Sequence, residues 1–470
     1  MSLTRREEPS PRNPLDLQFL ERLGDEGGEN SDPALLLALF RLEKLALTLE
    51  RATVSSAFYR RRLGAEKGKA LAARLREARA AGTAANREKT LQSVLAEIPL
   101  TSPEDLAARP ESFLAVSHSE VEGVISIPSS GSSGLVKRVY SAAADLENSL
   151  DFFRYGMRCL LGSGTGERVA LLMSGERPGS VGDLLTRAMR RLGAPCLVPG
   201  FPPGEAEAET AWLRSLSAWA PTCLVGVPGT LLALARHSLA PELARSVRSI
   251  LLSGDAAPDS LLAALKEAFG AEVFRHYGLT EFGLGGAVEC GAHSGPHLRE
   301  ADILAEVLDP AGLPCPPGEP GEIVLTSLSR LAMPLLRYRT GDAGAFAPGS
   351  CPCGSVMRRL LTFGRLTDRI LTPAGHVLSL ARLSESVCPL PFVRDFRFSF
   401  TETPHPRLTL EIAGADGRSS SFSAIRAALA GLPGLDELET DIRLSPARNL
   451  SPNGKRILYR RQPPTATLPG

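Results

Sequence analysis

The sequence predicts an α/β protein: helices layered on a mainly parallel sheet, then a smaller β-rich part, then a compact α+β segment. Three observations carry this reading. From about residue 121 to residue 278, short apolar or β-branched runs alternate with amphipathic helical stretches, the pattern of parallel strands joined by crossover helices. After Gly283 the texture turns to short strands closely punctuated by Gly and Pro. From about Arg365 the chain mixes two strand pairs with a helix near 422–431. With 470 residues and 43% hydrophobic content, it can bury a large core and exceeds the usual size of one domain.

Taken in order, residues 1–32 are polar, with Pro, Gly and acidic clusters, and read as a loosely held arm. Apolar spacing predicts one long helix over 33–63, followed by a basic, Ala-rich, solvated helix to about Arg87. Strands are expected at GVISI (123–127), RVALLM (168–173), CLVPG (196–200), TCLVGV (222–227), SILLSG (249–254) and EVFRHYG (272–278). Helices are expected at 145–162, 180–193, 207–219, 229–238 and 259–269. In the first of these, Leu146, Leu150, Phe153, Met157 and Leu160 form one apolar stripe. GGAVEC, DILAEVLD, GEIVLTSL and LLRYRTGDAGAF supply the later strands. The expected organisation is an arm (1–32), a large multi-subdomain part (33–364) and a small C-terminal domain (365–470).

Charge excludes some partners. Lys+Arg 53 against Asp+Glu 52 gives a net charge of +1, which argues against a nucleic-acid footprint or a polybasic membrane surface. No apolar signal core follows the charged N-terminus. The longest apolar run, ALLLALF (34–40), is far short of the roughly 20 residues that span a bilayer. A soluble, cytoplasmic protein is expected. Eight cysteines in this length are not a disulfide scaffold. Cys159, Cys196, Cys223 and Cys388 lie in apolar sequence and read as buried thiols.

Five motifs stand in one order: SSGSSGLVKRV (129–139), HYGLTEF (276–282), YRTGD (338–342), GRLTD (364–368) and SPNGKR (451–456). In the first, Gly131 and Gly134 let the backbone approach an anion. Ser129, Ser130, Ser132 and Ser133 can donate to phosphate, and Lys137 adds a positive charge. The spacing is not that of a Walker A loop, and an ordinary Ser/Gly linker explains the segment equally well. Tyr277 offers a flat face for a purine, Gly278 close backbone passage and Thr280 a phosphate donor, while Glu281 is a hard ligand for Mg²⁺. Alone, Tyr277 reads as a strand aromatic and Glu281 as a surface acid. Asp342 can accept both hydroxyls of a ribose or merely cap its turn. Arg365 suits ribose or phosphate, and Lys455 gains meaning only beside the other motifs. Together the set describes an enzyme that activates an acid with ATP.

A second constellation is Cys351-Pro-Cys353 with the upstream segment CGAHSGPH, which holds Cys290, His293 and His297. Two or three thiolates and one imidazole would close a tetrahedral structural Zn²⁺ site. Reduced surface thiols are the alternative.

The ordered set resembles the acyl-adenylate-forming superfamily. Within it, the chain is most similar to the phenylacetate–CoA ligase group and to synthetases that adenylate a deazaflavin coenzyme. AFYRRRL (57–63), SSGSSG, YSAAADL (140–146), HYGLTE, MPLLRYRTGD (333–342) and CPCG (351–354) carry the resemblance, which runs from about residue 50 to the C-terminus. It implies a phosphate loop from Ser129 to Lys137, Tyr277 on adenine, Thr280 and Glu281 at phosphates and Mg²⁺, and Asp342 on ribose with Arg365 assisting. It also implies that Gly254, Asp255 and Ala256 line adenine and acyl pocket, and that a mobile C-terminal domain brings Lys455 to the α-phosphate. Some relatives carry a metal site near CPCG, and there His297 fits the pattern better than His293, giving Cys290, His297, Cys351 and Cys353. The sequence departs from the pattern at Val136, where Pro is usual, and at Thr367, where an Asp or Lys hinge is usual. The implied reaction is AMP-forming ligation of an aryl or other apolar carboxylic acid to coenzyme A, with a homodimer as a candidate assembly. The alternatives are an adenylyltransferase that stops at an AMP-adduct, and a non-catalytic nucleotide-binding homologue.

Overall fold

The computed structural model describes residues 13–24, 32–128, 136–162, 166–175, 178–402, 405–414, 419–445 and 458–461. The chain forms two compact units that interleave in sequence. The first takes 1–163, 176–192 and 276–362, and the second takes 164–175, 193–275 and 363–470.

The first unit begins with a departure from expectation. Within the predicted arm lies a helix, Pro14–Leu23, with Leu15 and Phe19 fully buried. Asn13 caps it by accepting from the Leu15 N–H at 2.9 Å, and Pro14 opens it. The polar average over 1–32 concealed a ten-residue amphipathic stretch. The long helix predicted over 33–63 breaks at Ser56, whose extended backbone ends Pro33–Ser55 and whose hydroxyl caps Ala57–Arg62. The following Ala65–Ala81 helix is not merely solvated, because it buries Leu71 and Leu75. Gly68 permits this packing: a Cβ there would stand 2.1 Å from the Thr53 hydroxyl on the neighbouring helix.

An antiparallel hairpin follows, Val121–Pro128 with Val136–Ala142, and leads into the helix Ala143–Leu161. The buried Asp145 on that helix accepts from the N–H groups of Ala142 (2.9 Å), Leu331 (2.6 Å) and Ala332 (3.0 Å). It thereby pins the segment around 331–332 to the start of the helix. Strands Ile303–Leu308, Gly321–Ser327 and Tyr338–Phe346 pair antiparallel in that order. Their inner faces share an apolar core with the N-terminal helices, including Leu45, Leu49, Leu75, Ile323 and Tyr338.

In the second unit the predicted strands appear as a parallel sheet. Its spatial order is Cys196–Leu197, Val169–Leu172, Cys223–Gly226, Ser249–Leu252 and Glu272–Tyr277. The boundary falls within the final strand: its last two residues, His276 and Tyr277, already belong to the first unit, and there they pair antiparallel with Val288 and Ala287. Helices Ala206–Trp219, Pro228–Ala235 and Asp259–Phe269 fall where the amphipathic pattern placed them, and a short helix, Ala240–Ala244, adds to them. Residues from Phe363 onward add the hairpin Arg369–Leu371/Val377–Ser379, helices Leu380–Val387 and Ser419–Leu429, and one mixed sheet. The sheet runs Glu439–Ser445, Arg407–Ala413, Asp395–Thr401, Leu458–Arg461. The two expected strand pairs are thus a single sheet, antiparallel at its centre and parallel on both sides. Phe396, Leu410 and Ile425 share one apolar cluster with Ile250 and Leu265. Cys223 and Cys388 are buried as predicted, whereas Cys159 and Cys196 are only partly so. Among the described residues no helix is long and apolar enough to cross a membrane.

Candidate functional site

The HYGLTEF segment is shaped by its backbone. Gly278 passes so close to the Leu284 carbonyl that a Cβ would stand 2.0 Å from its oxygen. A short 3₁₀ turn, Thr280–Phe282, follows. It is closed by left-handed Gly283 and Leu284, at φ +77° and +70°. Leu284 N–H donates to Leu279 O at 2.8 Å and Gly286 N–H to Tyr277 O at 2.9 Å, completing the loop. A non-glycine residue at positive φ costs about 1 kcal/mol or more and is held there only by its surroundings. A second such residue, Arg337 at φ +45°, precedes Tyr338. Its guanidinium is clamped on Glu306 by two bonds of 2.9 and 3.0 Å. Behind it, Leu336 N–H donates to the buried Tyr59 hydroxyl at 2.8 Å, which explains the tyrosine of AFYRRRL.

This backbone turns Glu281 inward, where it is 5% exposed. One carboxylate oxygen lies 2.5 Å from Lys137 Nζ and accepts from the Tyr338 hydroxyl at 2.9 Å. Lys137 also reaches Tyr338 at 3.4 Å. Burial pushes the Glu281 carboxyl up, but the Lys137 ammonium and the surrounding donors outweigh it and hold the group below the ordinary carboxylate range. Glu281 is therefore an ionised oxygen donor, the kind of protein ligand that Mg²⁺ favours. Nearby in sequence to Tyr338, Asp342 accepts from the Tyr277 hydroxyl at 2.9 Å. Its own N–H donates to Thr340 Oγ1 at 3.0 Å, and that hydroxyl donates to Ile323 O at 2.7 Å.

Four residues singled out from the sequence, Lys137, Tyr277, Glu281 and Asp342, thus fall into two bonded pairs in one unit. Gly278 and Thr280 shape the loop between them. Ser129, Ser130, Gly131, Ser132, Ser133, Gly134 and Lys455 lie outside the described residues. Gly254, Asp255, Ala256 and Arg365 belong to the second unit. There Gly254 has φ +85°, Asp255 accepts from the Ala256 N–H at 2.8 Å, and Arg365 is exposed, its carbonyl accepting from the Asp368 N–H at 3.2 Å. Tyr338 and Thr340 were missed as site residues. The signal was present, since 338, 340 and 342 alternate along one strand and share its buried face.

The Cys/His constellation also assembles. The ligand atoms of Cys290, His297, Cys351 and Cys353 all lie within 4.8 Å of one another. The sulfurs of Cys290 and Cys351 are 3.7 Å apart, and Cys353 Sγ is 3.4 Å from His297 Nε2. Around a tetrahedral ion with Zn–S near 2.3 Å and Zn–N near 2.0 Å, these edges would be about 3.8 and 3.5 Å. His297 Nδ1 bonds Met357 O at 2.9 Å, which leaves Nε2 to face the sulfurs. Burial pushes its imidazole toward the neutral form, the form that binds metal. Burial also pushes the Cys290 thiol up. His293 stands apart, 3.9 Å from Glu289. The donors fit a metal ion.

The family model for AMP-binding enzymes matches residues 34–329. The chain belongs to that family. It is 29% identical over 284 residues to a phenylacetate–coenzyme A ligase of Pseudomonas putida, covering 58% of this chain and 61% of that protein. It is 28% identical over 317 residues to the phenylacetate–coenzyme A ligase of Escherichia coli (strain K12), covering 63% and 67%. The chain thus spans about three-fifths of the length of the P. putida relative. Among solved structures it is similar to 2-hydroxyisobutyryl-CoA ligase in the postadenylation state, in complex with R3-HIB-AMP. The TM-score is 0.71 and the identity 19%, over 90% of this chain and 89% of that one. The anthranilate CoA ligase AuaEII in complex with anthranoyl-AMP gives 0.52 and 15%, over 93% and 94%. At these identities the structures speak to the fold of this AMP-binding enzyme, which is the α/β class its sequence predicted.

Proposed function

We propose that this AMP-binding enzyme is an ATP-dependent carboxylic acid–CoA ligase that forms AMP and acts on an aryl or other apolar acid. The observation that carries the reading is the pair of bonded clusters in one unit, Tyr277 with Asp342 and Lys137 with Glu281 and Tyr338. One suits a nucleoside and the other the charge of its phosphates. Similarity to phenylacetate–coenzyme A ligases supports both the reaction and the acid class.

In the first step the substrate carboxylate attacks the α-phosphorus of ATP, and pyrophosphate leaves. Asp342 accepts from the ribose hydroxyls, with its carboxylate oriented by the Tyr277 hydroxyl. Lys137 gives up Glu281 for phosphate oxygens, and Glu281 is then the residue that would hold Mg²⁺. The ion, when bound, neutralises charge on the polyphosphate. Lys455 would meet the α-phosphate, where positioning and charge supply most of the acceleration. In the second step the CoA thiolate attacks the acyl carbon and AMP leaves. Movement of the 365–470 segment would withdraw Lys455 between the steps. That movement has a cost here, because the segment shares an apolar core with residues 193–275. The cluster of Cys290, His297, Cys351 and Cys353 would hold a structural Zn²⁺ with no part in either step.

ATP–pyrophosphate exchange over a panel of aryl, aliphatic and amino acids, with and without coenzyme A, tests the reading. Acid-dependent exchange is expected in wild type and its loss in Lys455→Ala, which should still convert supplied acyl-adenylate to thioester. Equal loss of both half-reactions would remove Lys455 from the first step. Full product release without coenzyme A would favour an adenylyltransferase.

A further inference from the structure

The helix Pro33–Ser55 has two faces. Leu42, Leu45, Leu49 and Ala52 enter the core of the first unit. A separate stripe, Phe40, Lys44, Leu47 and Arg51, follows helical spacing on another side. This stripe forms one wall of a cavity of about 320 Å³. Ala144 and Asn148 of helix Ala143–Leu161 line it too, as do Leu328 and Leu331. Its size falls at the low end of small-ligand pockets.

The charge in this cavity is one-sided. Arg22, Lys44 and Arg51 line it, and among the described residues no carboxylate does. The nearby acids on the same helix are engaged elsewhere, since Glu43 and Glu50 hold Arg76 at 3.4 and 2.6 Å. Arg22 does pair with Asp302, but Asp302 is shared with the buried Arg299. One negative charge therefore serves two guanidiniums. Among the described residues the contact of the Lys44 ammonium is the Phe40 ring, 5.1 Å from its centroid. Between the two cations Leu47 is 43% exposed. Uncompensated cations above an apolar floor, in a concave site, favour a ligand that is anionic at one end and apolar at the other.

We propose that this cavity is a second small-molecule site, for an organic anion with a carboxylate or phosphate head on a compact apolar body. Lys44 and Arg51 take the head, and Phe40 and Leu47 bear on the body. The site is separate from Lys137, Glu281 and Asp342 and does not depend on the reaction proposed above.

Calorimetry on the full chain with phenyl phosphate and with phenylacetate, in the absence of ATP, reads the two head groups separately. At least one should bind, and Lys44→Ala/Arg51→Ala should weaken it by about tenfold or more without changing the melting temperature of the free protein. Bound ligand should raise the melting temperature of wild type and not of the double variant. A double variant that binds with the same stoichiometry and affinity as wild type, or no binding at millimolar ligand, would overturn the proposal. So would inorganic phosphate or benzyl alcohol binding as tightly as the aryl anions, which would reduce the site to a bare charge or a bare apolar surface. A tenfold gain of affinity in Asp25→Asn/Glu26→Gln/Glu29→Gln would also overturn it, by making the chain's own acidic segment the occupant.

Discussion

The first unit holds two polar clusters that differ in how their charge is answered. Glu281 is met from within the protein by Lys137 and Tyr338. Cys290, His297, Cys351 and Cys353 bring four Lewis bases together, within 4.8 Å of one another. The first cluster is electrically complete as it stands, and on the function proposed above it would open for a nucleotide. The second would be completed by the cation proposed for it. On that reading one exchanges partners and the other keeps one.

Substitutions can pull the two apart. The largest effect is expected from Glu281→Gln, which leaves Lys137 without its counter-charge and puts a neutral amide in place of the ionised oxygen proposed for Mg²⁺. ATP–pyrophosphate exchange should fall by about 10²–10³, with the metal content of the protein unchanged. Cys351→Ser should do the reverse. Metal analysis should show the ion lost and the melting temperature lowered by roughly 5–10 °C, with exchange at 25 °C largely retained. If both variants lost activity alike, the division between the clusters would collapse.

A third test concerns His276, next to Tyr277 at the end of its strand. The His276 ring packs against Phe152 and Phe153, with centroids 6.0 and 6.3 Å away. Burial, with the Arg299 charge second, pushes its pKa from 6.5 down to about 4. Such a base binds fewer protons folded than unfolded. Its stability is full above the unfolded value and drains as pH falls from 6.5 toward 4. Between pH 7 and pH 5 wild type should lose about 1 kcal/mol more than His276→Gln, an allowance that includes partial solvent access. Urea midpoints at the two pH values measure this, and equal losses would place the ring in solvent. The smallest effect is expected from Tyr338→Phe, which removes one hydrogen bond to Glu281. About 1 kcal/mol, or roughly fivefold in exchange, is the expected loss.

Much of this was legible in the sequence because the signals were local and repeated. Buried runs such as VALL and SILL, each followed by an amphipathic stretch, fix a parallel sheet with little help from the rest of the chain. The Cys/His cluster was legible because its residue types are rare and chemically narrow. The helix Pro14–Leu23 was not, since its two buried apolar side chains, Leu15 and Phe19, sit in sequence whose average is polar. Nor was the part played by Tyr338, which meets residues 57 and 201 positions away. Left-handed Leu284 and Arg337 also leave no trace in composition, because tertiary contacts hold them there.

Asp145 has a consequence for how this protein can change over generations. Its carboxylate grips the main chain at Ala142, Leu331 and Ala332 and asks nothing of the side chains at those positions. The turn at 331–332 is therefore fixed through its backbone, and Leu331, which is only partly buried, has room to vary where the fully buried Ala332 has none. One acid holds the form constant, so a change at 331 can be tried at little cost to the strand that follows. Asp145 itself has no such freedom.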